Sequence, residues 1–230
     1  MAKRSSLFIA ALVVSVVGAV VVSMPGLAQA DDDRRLVPVN ETYAGLSYGE
    51  WEAAWWQWAF SIPATSQNPT LPGGNSALAQ SGPVWFLAGA FASEVRNITV
   101  PSGVALFIPV VNVECSNFEG PPFHGDDANA LAICVNGHVD NTANLAAEID
   151  GKPVKHLEHF RVRSPMFTTG PLQDPNLLGA PKGTITQSMD AGVYLLILPF
   201  KPGPHTVHVT GTFTVLGGTI DTTYNVAVTP

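Results

Sequence analysis

The sequence is poor in charge. Of 230 residues, 13% are Asp, Glu, Lys or Arg, and Lys and Arg number 11 against 18 acidic residues. A formal net charge of −7 repels phosphate backbones, so nucleic acid is excluded as an expected partner. The P-loop pattern GxxxxGK[S/T], the dinucleotide fingerprint GxGxxG and the zinc-protease pair HExxH are all missing, which removes the most readily recognised enzyme classes. No internal repeat or low-complexity tract is visible. The chain has only two cysteines, Cys115 and Cys134, with no second pair to complete a zinc site.

What is present begins with a leader. MAKRSS supplies Lys3 and Arg4, an uncharged apolar run follows, Pro25-Gly26 breaks it, and Ala28-Gln29-Ala30 has the small-x-small form of a cleavage site. The layout predicts a secretory signal peptide over residues 1–30, cut before Asp31; the rival reading is an uncleaved anchor. No cysteine follows the site, so lipid attachment is not expected. The chain is expected to be secreted or periplasmic, with no permanent membrane span after cleavage. Losing Lys3 and Arg4 takes the formal charge from −7 to −9. In an exported chain an even cysteine count reads as one disulfide, Cys115–Cys134, giving roughly 3 kcal/mol on the chain-entropy model. Residues 31–46 read as a solvated lead-in and residues 47–230 as one domain.

Ser47-Tyr48-Gly49-Glu50 has the form of a capping box opening a helix. In that phase Trp51, Ala54, Trp55, Trp58 and Ala59 share a stripe, while Glu52, Ala53, Trp56 and Gln57 fall off it. Pro63 ends the helix. A stripe of indoles reads as core rather than ligand platform, and Trp56 is the one indole left open to a ligand.

Across the chain 21 Gly and 19 Pro punctuate short apolar runs, the pattern of an all-β chain. Residues 83–91 and 104–113 are nearly continuously apolar, as for strands covered on both faces, and Pro109 demands an edge or a bulge. EVRNITV lies between them. LAAEID and KPVKHLEHFRVRS read as a hairpin about Asp150-Gly151. GTITQSM, GVYLLILPF, HTVHVTGTFTV and DTTYNVAV follow as strands. Residues 115–138 read as a helix started by Asp126 and Asp127, the alternative being a hairpin about Asn136-Gly137. The expected fold is mainly β: an antiparallel β-sandwich, jelly-roll or immunoglobulin-like, with an N-terminal Trp-rich helix and one further short helix. Two long loops, 63–82 and 164–183, exceed what compact connections need and are natural places for a binding site.

YGEWEAAWWQWAFSIP, with NPTLPGG, GPVWFLAG, VPSGVALFIPVVNVECS, EIDGKPV, FRVRSPMF and LPFKPGPHTVHVTG, resembles a group of uncharacterised bacterial exported proteins. The resemblance spans most of the chain after the leader. It supports export, one domain and the Cys115–Cys134 pairing, and it implies no activity. Members of the group also carry cysteines in the loop after NP and before the VP of the second strand. Here those places read NSALAQ and RNIT, which implies a missing second disulfide and a loop less tied down.

Three polar constellations could carry chemistry. Glu114, Glu119, His124, Asp126 and Asp127 crowd together beside Cys115. Glu114, His124, Asp126 and Asp127 are candidate ligands for a divalent metal such as calcium, no other cofactor being expected. The plainer reading has the Asp pair only cap a helix. His159 and Arg161 would share one strand face and could receive an anion, or Arg161 could simply pair with Glu158 or Asp150. His205 and His208 lie on opposite strand faces and cannot chelate together. The candidate ligand-binding set is therefore Trp56, His124, Asp126, Asp127, His159 and Arg161. The expected function is non-catalytic binding of a small molecule, glycan or cell-surface partner. The alternative is a carbohydrate-active hydrolase or lyase using carboxylates and His near residues 114–127, with Trp56 stacking on sugar. The sequence does not decide between enzyme and binding protein.

Overall fold

The computed structural model describes residues 35–230; the expected leader and cleavage site lie outside them. Helix α1 (Tyr48–Ser61) opens on the expected capping box: Glu50 N–H donates to Ser47 Oγ at 3.4 Å and Ser47 N–H to Glu50 Oε2 at 2.8 Å. Ten strands follow: β1 (Val84–Phe86), β2 (Ser93–Pro101), β3 (Ala105–Ser116), β4 (Thr142–Ile149), β5 (Lys152–Pro153), β6 (Arg161–Arg163), β7 (Phe167–Thr169), β8 (Thr186–Ile197), β9 (Gly203–Phe213) and β10 (Thr219–Thr229). Helix α2 (Ala128–Val139) lies between β3 and β4. Asp127 caps it, accepting from Ala130 N–H at 2.8 Å, so the helical reading of this segment holds and Asn136-Gly137 is not a hairpin turn.

The strands form two sheets. One runs β1-β3-β8-β6, with β7 also on β8; the other runs β2-β10-β9-β4-β5. The fold is mainly β and layered as expected, but both sheets are mixed. β1 pairs parallel with β3 and β2 parallel with β10, because β2 crosses to the opposite sheet between β1 and β3. The two candidates GTITQSM and GVYLLILPF are one continuous strand, β8. Pro109 sits in central β3, where a register shift between Pro109 and Val111 accommodates the missing N–H.

Alternation along β3 and β8 builds two cores. Leu106, Ile108, Val113, Ala191, Val193 and Leu195 face Val100, Val207, Val209, Tyr224 and Val226 of the other sheet, and Leu131 and Val135 of α2 join them. Phe107, Tyr194 and Leu196 face outward and meet Trp51, Trp55 and Trp58 of α1. Strands roofed on one side and paired on the other are buried on both, which explains their unbroken apolar runs. The three stripe indoles are satisfied as well as buried: Trp51, Trp55 and Trp58 Nε1–H donate to Tyr43, Leu87 and Leu78 carbonyls at 3.0, 2.8 and 3.0 Å.

The described lead-in is solvated only in part: Pro38 and Asn40 are exposed, but the chain at 35–37 is packed on the sheet. Leu36 bridges Ile197, Val37 is buried, and Tyr48 Oη donates to Val37 O at 2.7 Å while accepting from Leu196 N–H at 3.1 Å. Loop 63–82 is also tied down. Arg96 of β2, 6% exposed, donates to the Leu71 and Ala88 carbonyls at 2.9 Å and also to Pro69 O. Its Nη1 reaches Ser76 Oγ at 3.3 Å. Ser76 and Arg96 belong to NSALAQ and RNIT, so a polar contact joins the two places that lack cysteines. Cys115 and Cys134 form the expected disulfide, linking β3 to α2.

Candidate functional site

The hairpin about Asp150-Gly151 ends almost as soon as it starts. Ile149 pairs with Lys152 and Glu148 with Pro153, and the chain then leaves this sheet for the other. His156 takes a left-handed conformation (φ 56°), a 3-10 turn covers Leu157–Phe160, and β6 joins β8. The expected long strand through 152–164 is therefore broken, and His159 and Arg161 do not share a strand face. The break has a consequence at the end of the sandwich. Residues 35–40, the β4–β5 turn and the 3-10 turn enclose a groove of about 730 Å³.

Its walls are apolar, with Leu36, Val39, Ile149, Val154 and Phe160, and its rim carries Arg35, Lys152, Lys155, His156 and His159. Eight Lys and Arg fall among the described residues, and three of them line this one groove, while no carboxylate does. On an acidic chain that is a local reversal of charge. Arg35 is held in place: Nη1 pairs with Asp150 Oδ2 at 2.8 Å, and its guanidinium lies 5.4 Å over the Phe200 ring. Burial pushes the Asp150 carboxyl up, but hydrogen bonds from His205, Thr206 and Arg35 outweigh it and hold the pKa below the usual carboxylate range. Lys155 is exposed and free of any ion pair among the described residues. The lining offers no Ser, Thr or Cys nucleophile and no acid–base pair of carboxylates. An apolar wall beneath cationic side chains is complementary to an anion with an apolar body.

A second polar feature lies under α1. Glu52 of α1, Glu114 of β3 and Asp190 of β8 are 0%, 5% and 0% exposed, and Glu114 and Asp190 are cross-strand partners. Both Glu52 oxygens, one of Glu114 and one of Asp190 lack a hydrogen-bond partner, as does Ser188 Oγ beside Glu114. No cation perturbs any of the three carboxyls. Burial, then the Asp190 charge, drives Glu52 well above the usual range; burial, then Glu119, does the same to Glu114. Burial pushes Asp190 up to about 8, against the Trp56 indole, the Tyr194 hydroxyl and the Ala191 N–H, which favour its charge. Tyr194 Oη donates to Asp190 Oδ2 at 2.8 Å, whereas Trp56 Nε1–H faces the carboxyl outside hydrogen-bonding geometry.

The residues singled out from sequence distribute as follows. Trp56 is half-buried against Trp55 and Phe60, less covered than the stripe indoles. It does meet a carboxyl, Asp190, but beneath the helix, where Glu52 and Asp190 are closed to a glycan. His124 sits between Glu119 O at 2.7 Å and Asp126 Oδ1 at 3.0 Å, Asp127 is spent on capping, and Glu114 faces α1. Glu114, His124, Asp126 and Asp127 do not form a group of mutually close ligand atoms among the described residues. Arg161 pairs with Asp140 Oδ1 at 2.6 Å rather than with Glu158 or Asp150. His159 is on the groove rim. Sequence reasoning missed Lys152 and Lys155, which Arg35 joins only in space, and Glu52. Residues 45–49, GLSYG, also spell the GxSxG of a hydrolase nucleophile elbow. Ser47 there is a helix cap whose hydroxyl donates to Glu50 Oε2 at 2.6 Å, and among the described residues no strand precedes it.

No family model matches the chain, and no curated protein matches it. Among solved structures, a chain from "Structure of PbICP-C in complex with falcipain-2" aligns at 16% identity over 64% of this chain and 100% of that one, with a TM-score of 0.24. So low a score carries no functional argument. Among the described residues, no helix is long and apolar enough to cross a membrane.

Proposed function

We propose that this protein is an exported, extracytoplasmic binding protein whose ligand is an anion with an apolar body, held in the groove at the end of the sandwich. The observation that carries the reading is the groove's composition: an apolar wall and three of the eight described Lys and Arg along its lining, on a chain of net charge −7. Its volume of about 730 Å³ suits a small molecule. Export is supported by the leader pattern and by the Cys115–Cys134 disulfide, since such bonds persist in oxidising compartments.

Decanoate and decanol separate charge from chain. Decanoate should raise the melting temperature by mass action and decanol should not. Reversing the rim with Lys152→Glu and Lys155→Glu together should abolish the decanoate shift. Equal shifts from both probes, or a decanoate shift untouched by the double reversal, would overturn the groove as an anion site. N-terminal sequencing of protein recovered outside the cytoplasm should begin at Asp31; a chain beginning MAKRSS would count against cleavage.

A further inference from the structure

We infer that His156, Glu158 and His159 form a divalent transition-metal site of the zinc class on the rim of this groove. The three side chains each bring a ligand atom within 4.8 Å of the other two. His156 Nδ1 lies 3.1 Å from Glu158 Oε1 and His159 Nε2 lies 4.0 Å from the same oxygen. The two imidazoles stack at 5.3 Å between centroids and 15° between planes.

Packing does not impose this cluster. The side chains are 69%, 69% and 73% exposed, so no core forces them together. The backbone does so instead. His156 has φ 56° and ψ 45°, a conformation uncommon for a residue with a Cβ. It turns the chain into the 3-10 turn, whose tight rise brings residues 156 and 159 over one another. An exposed His–Glu pair stabilises a fold little, so ion pairing alone is a weak reason for the arrangement.

The donor set selects the ion. Two imidazoles and one carboxylate suit zinc, copper or nickel, whereas calcium and magnesium take oxygen ligands. Three protein ligands leave zinc a fourth position open. His156 and His159 both line the groove, so that position is available on the groove side. If the proposed function holds, the open position is where the ligand's anionic group would bind; the metal site itself does not depend on that reading. The other group of close ligand atoms, Cys115, Cys134 and His138, is not a rival, because its sulfurs are joined in the disulfide.

Calorimetric titration of the chelator-treated full protein with zinc chloride tests the site without any organic ligand. One equivalent should bind. His156→Ala, Glu158→Gln and His159→Ala should each weaken binding at least tenfold, and His208→Ala should not. Imidazole nitrogen–proton NMR spectra should show zinc shifting His156 and His159 and leaving His124, His138, His205 and His208 in place. Absent binding, binding that survives His156→Ala and His159→Ala, or zinc-induced shifts confined to other histidines would each overturn the site. Loss of the decanoate effect with zinc binding intact would count against the groove reading alone.

Discussion

Raising the pH from 5 to 9 should destabilise this protein, and Asp190→Asn should remove much of the effect. The Asp190 carboxyl is fully buried and lacks a paired cation, so its neutral form is favoured up to about 8, against an ordinary value of 3.8. An acid whose folded pKa is raised binds more protons folded than unfolded. Its effect on stability is nil below the unfolded pKa, grows more unfavourable as pH rises, and levels off above the folded pKa. One unit is about 1.4 kcal/mol, so the stretch from pH 5 to about 8, some three units of the shift from 3.8, amounts to on the order of 4 kcal/mol. That is comparable with the whole stability of a domain. Glu52 and Glu114 shift in the same direction and add to it. Carboxylates held low, such as Asp150 and Asp221, act in the opposite sense, but their contribution is lost below about pH 4, outside the window tested. Urea unfolding followed by tryptophan fluorescence at pH 5, 7 and 9, with chelator present so that no bound cation supplies the counter-charge, measures the slope. The Asn side chain keeps an acceptor for Tyr194 and cannot ionise, so the variant should gain on the parent with each pH step. A parent stability that rises from pH 5 to 8, or a variant curve parallel to the parent's, would refute the claim that this carboxyl holds a proton.

Two further predictions concern packing. Trp55→Ala should cost about 3–5 kcal/mol in urea unfolding, whereas Trp56→Ala, half-buried and with no bond to lose at Nε1, should cost clearly less; equal midpoints for the two would show that the stripe is not core. Arg96→Met leaves the Pro69 carbonyl without its donor, at about 1–3 kcal/mol, and Glu94 without its cation, while the Leu71 and Ala88 carbonyls keep Gly74 N–H and Tyr224 Oη; it should open loop 63–82 to protease, and an unchanged midpoint with a protected loop would remove Arg96 as the loop's anchor.

The sequence was most legible where a local rule decides the outcome. The capping box at Ser47 set the phase of α1, and that phase placed Trp51, Trp55 and Trp58 inward, as found. Pro109 announced the bulge in β3, and alternation in HTVHVTGTFTV put Val207, Val209, Phe213 and Val215 on one face, of which the first three are covered while Val215, past the end of β9, is exposed. Glu52 shows where such rules stop. It is one position from Trp51 and off the indole stripe, so helical phase alone gave no sign that it is buried. Helix α1, however, lies across a sheet face wide enough to cover more than one stripe. Half of that face is apolar, at Phe107 and Leu196, and half is polar, at Glu114, Ser188 and Asp190. Each polar residue taken alone reads as the wet side of a strand; only the helix above makes it interior.

The groove was illegible for a related reason. Arg35 is over a hundred residues from Lys155 and His159 in the chain, and Arg35 and Lys155 each read singly as a solvated charge. They meet because KPVKHLEHFRV does not continue as a strand. The left-handed turn at His156 breaks the hairpin and passes the chain from one sheet to the other, across the open end of the sandwich. The alternation rule failed at that break. The same break places two histidines on a groove rim rather than on opposite faces of a strand. It follows that His156→Gly, which relieves the left-handed conformation at no steric cost, should leave the fold intact and yet abolish zinc binding. His156→Val should destabilise the turn itself, since a β-branched residue resists positive φ. Melting temperature and zinc titration of these two variants separate the residue's backbone role from its role as a ligand. If the Gly variant lost the fold, the turn would depend on the imidazole, and the crossing between sheets would need another cause.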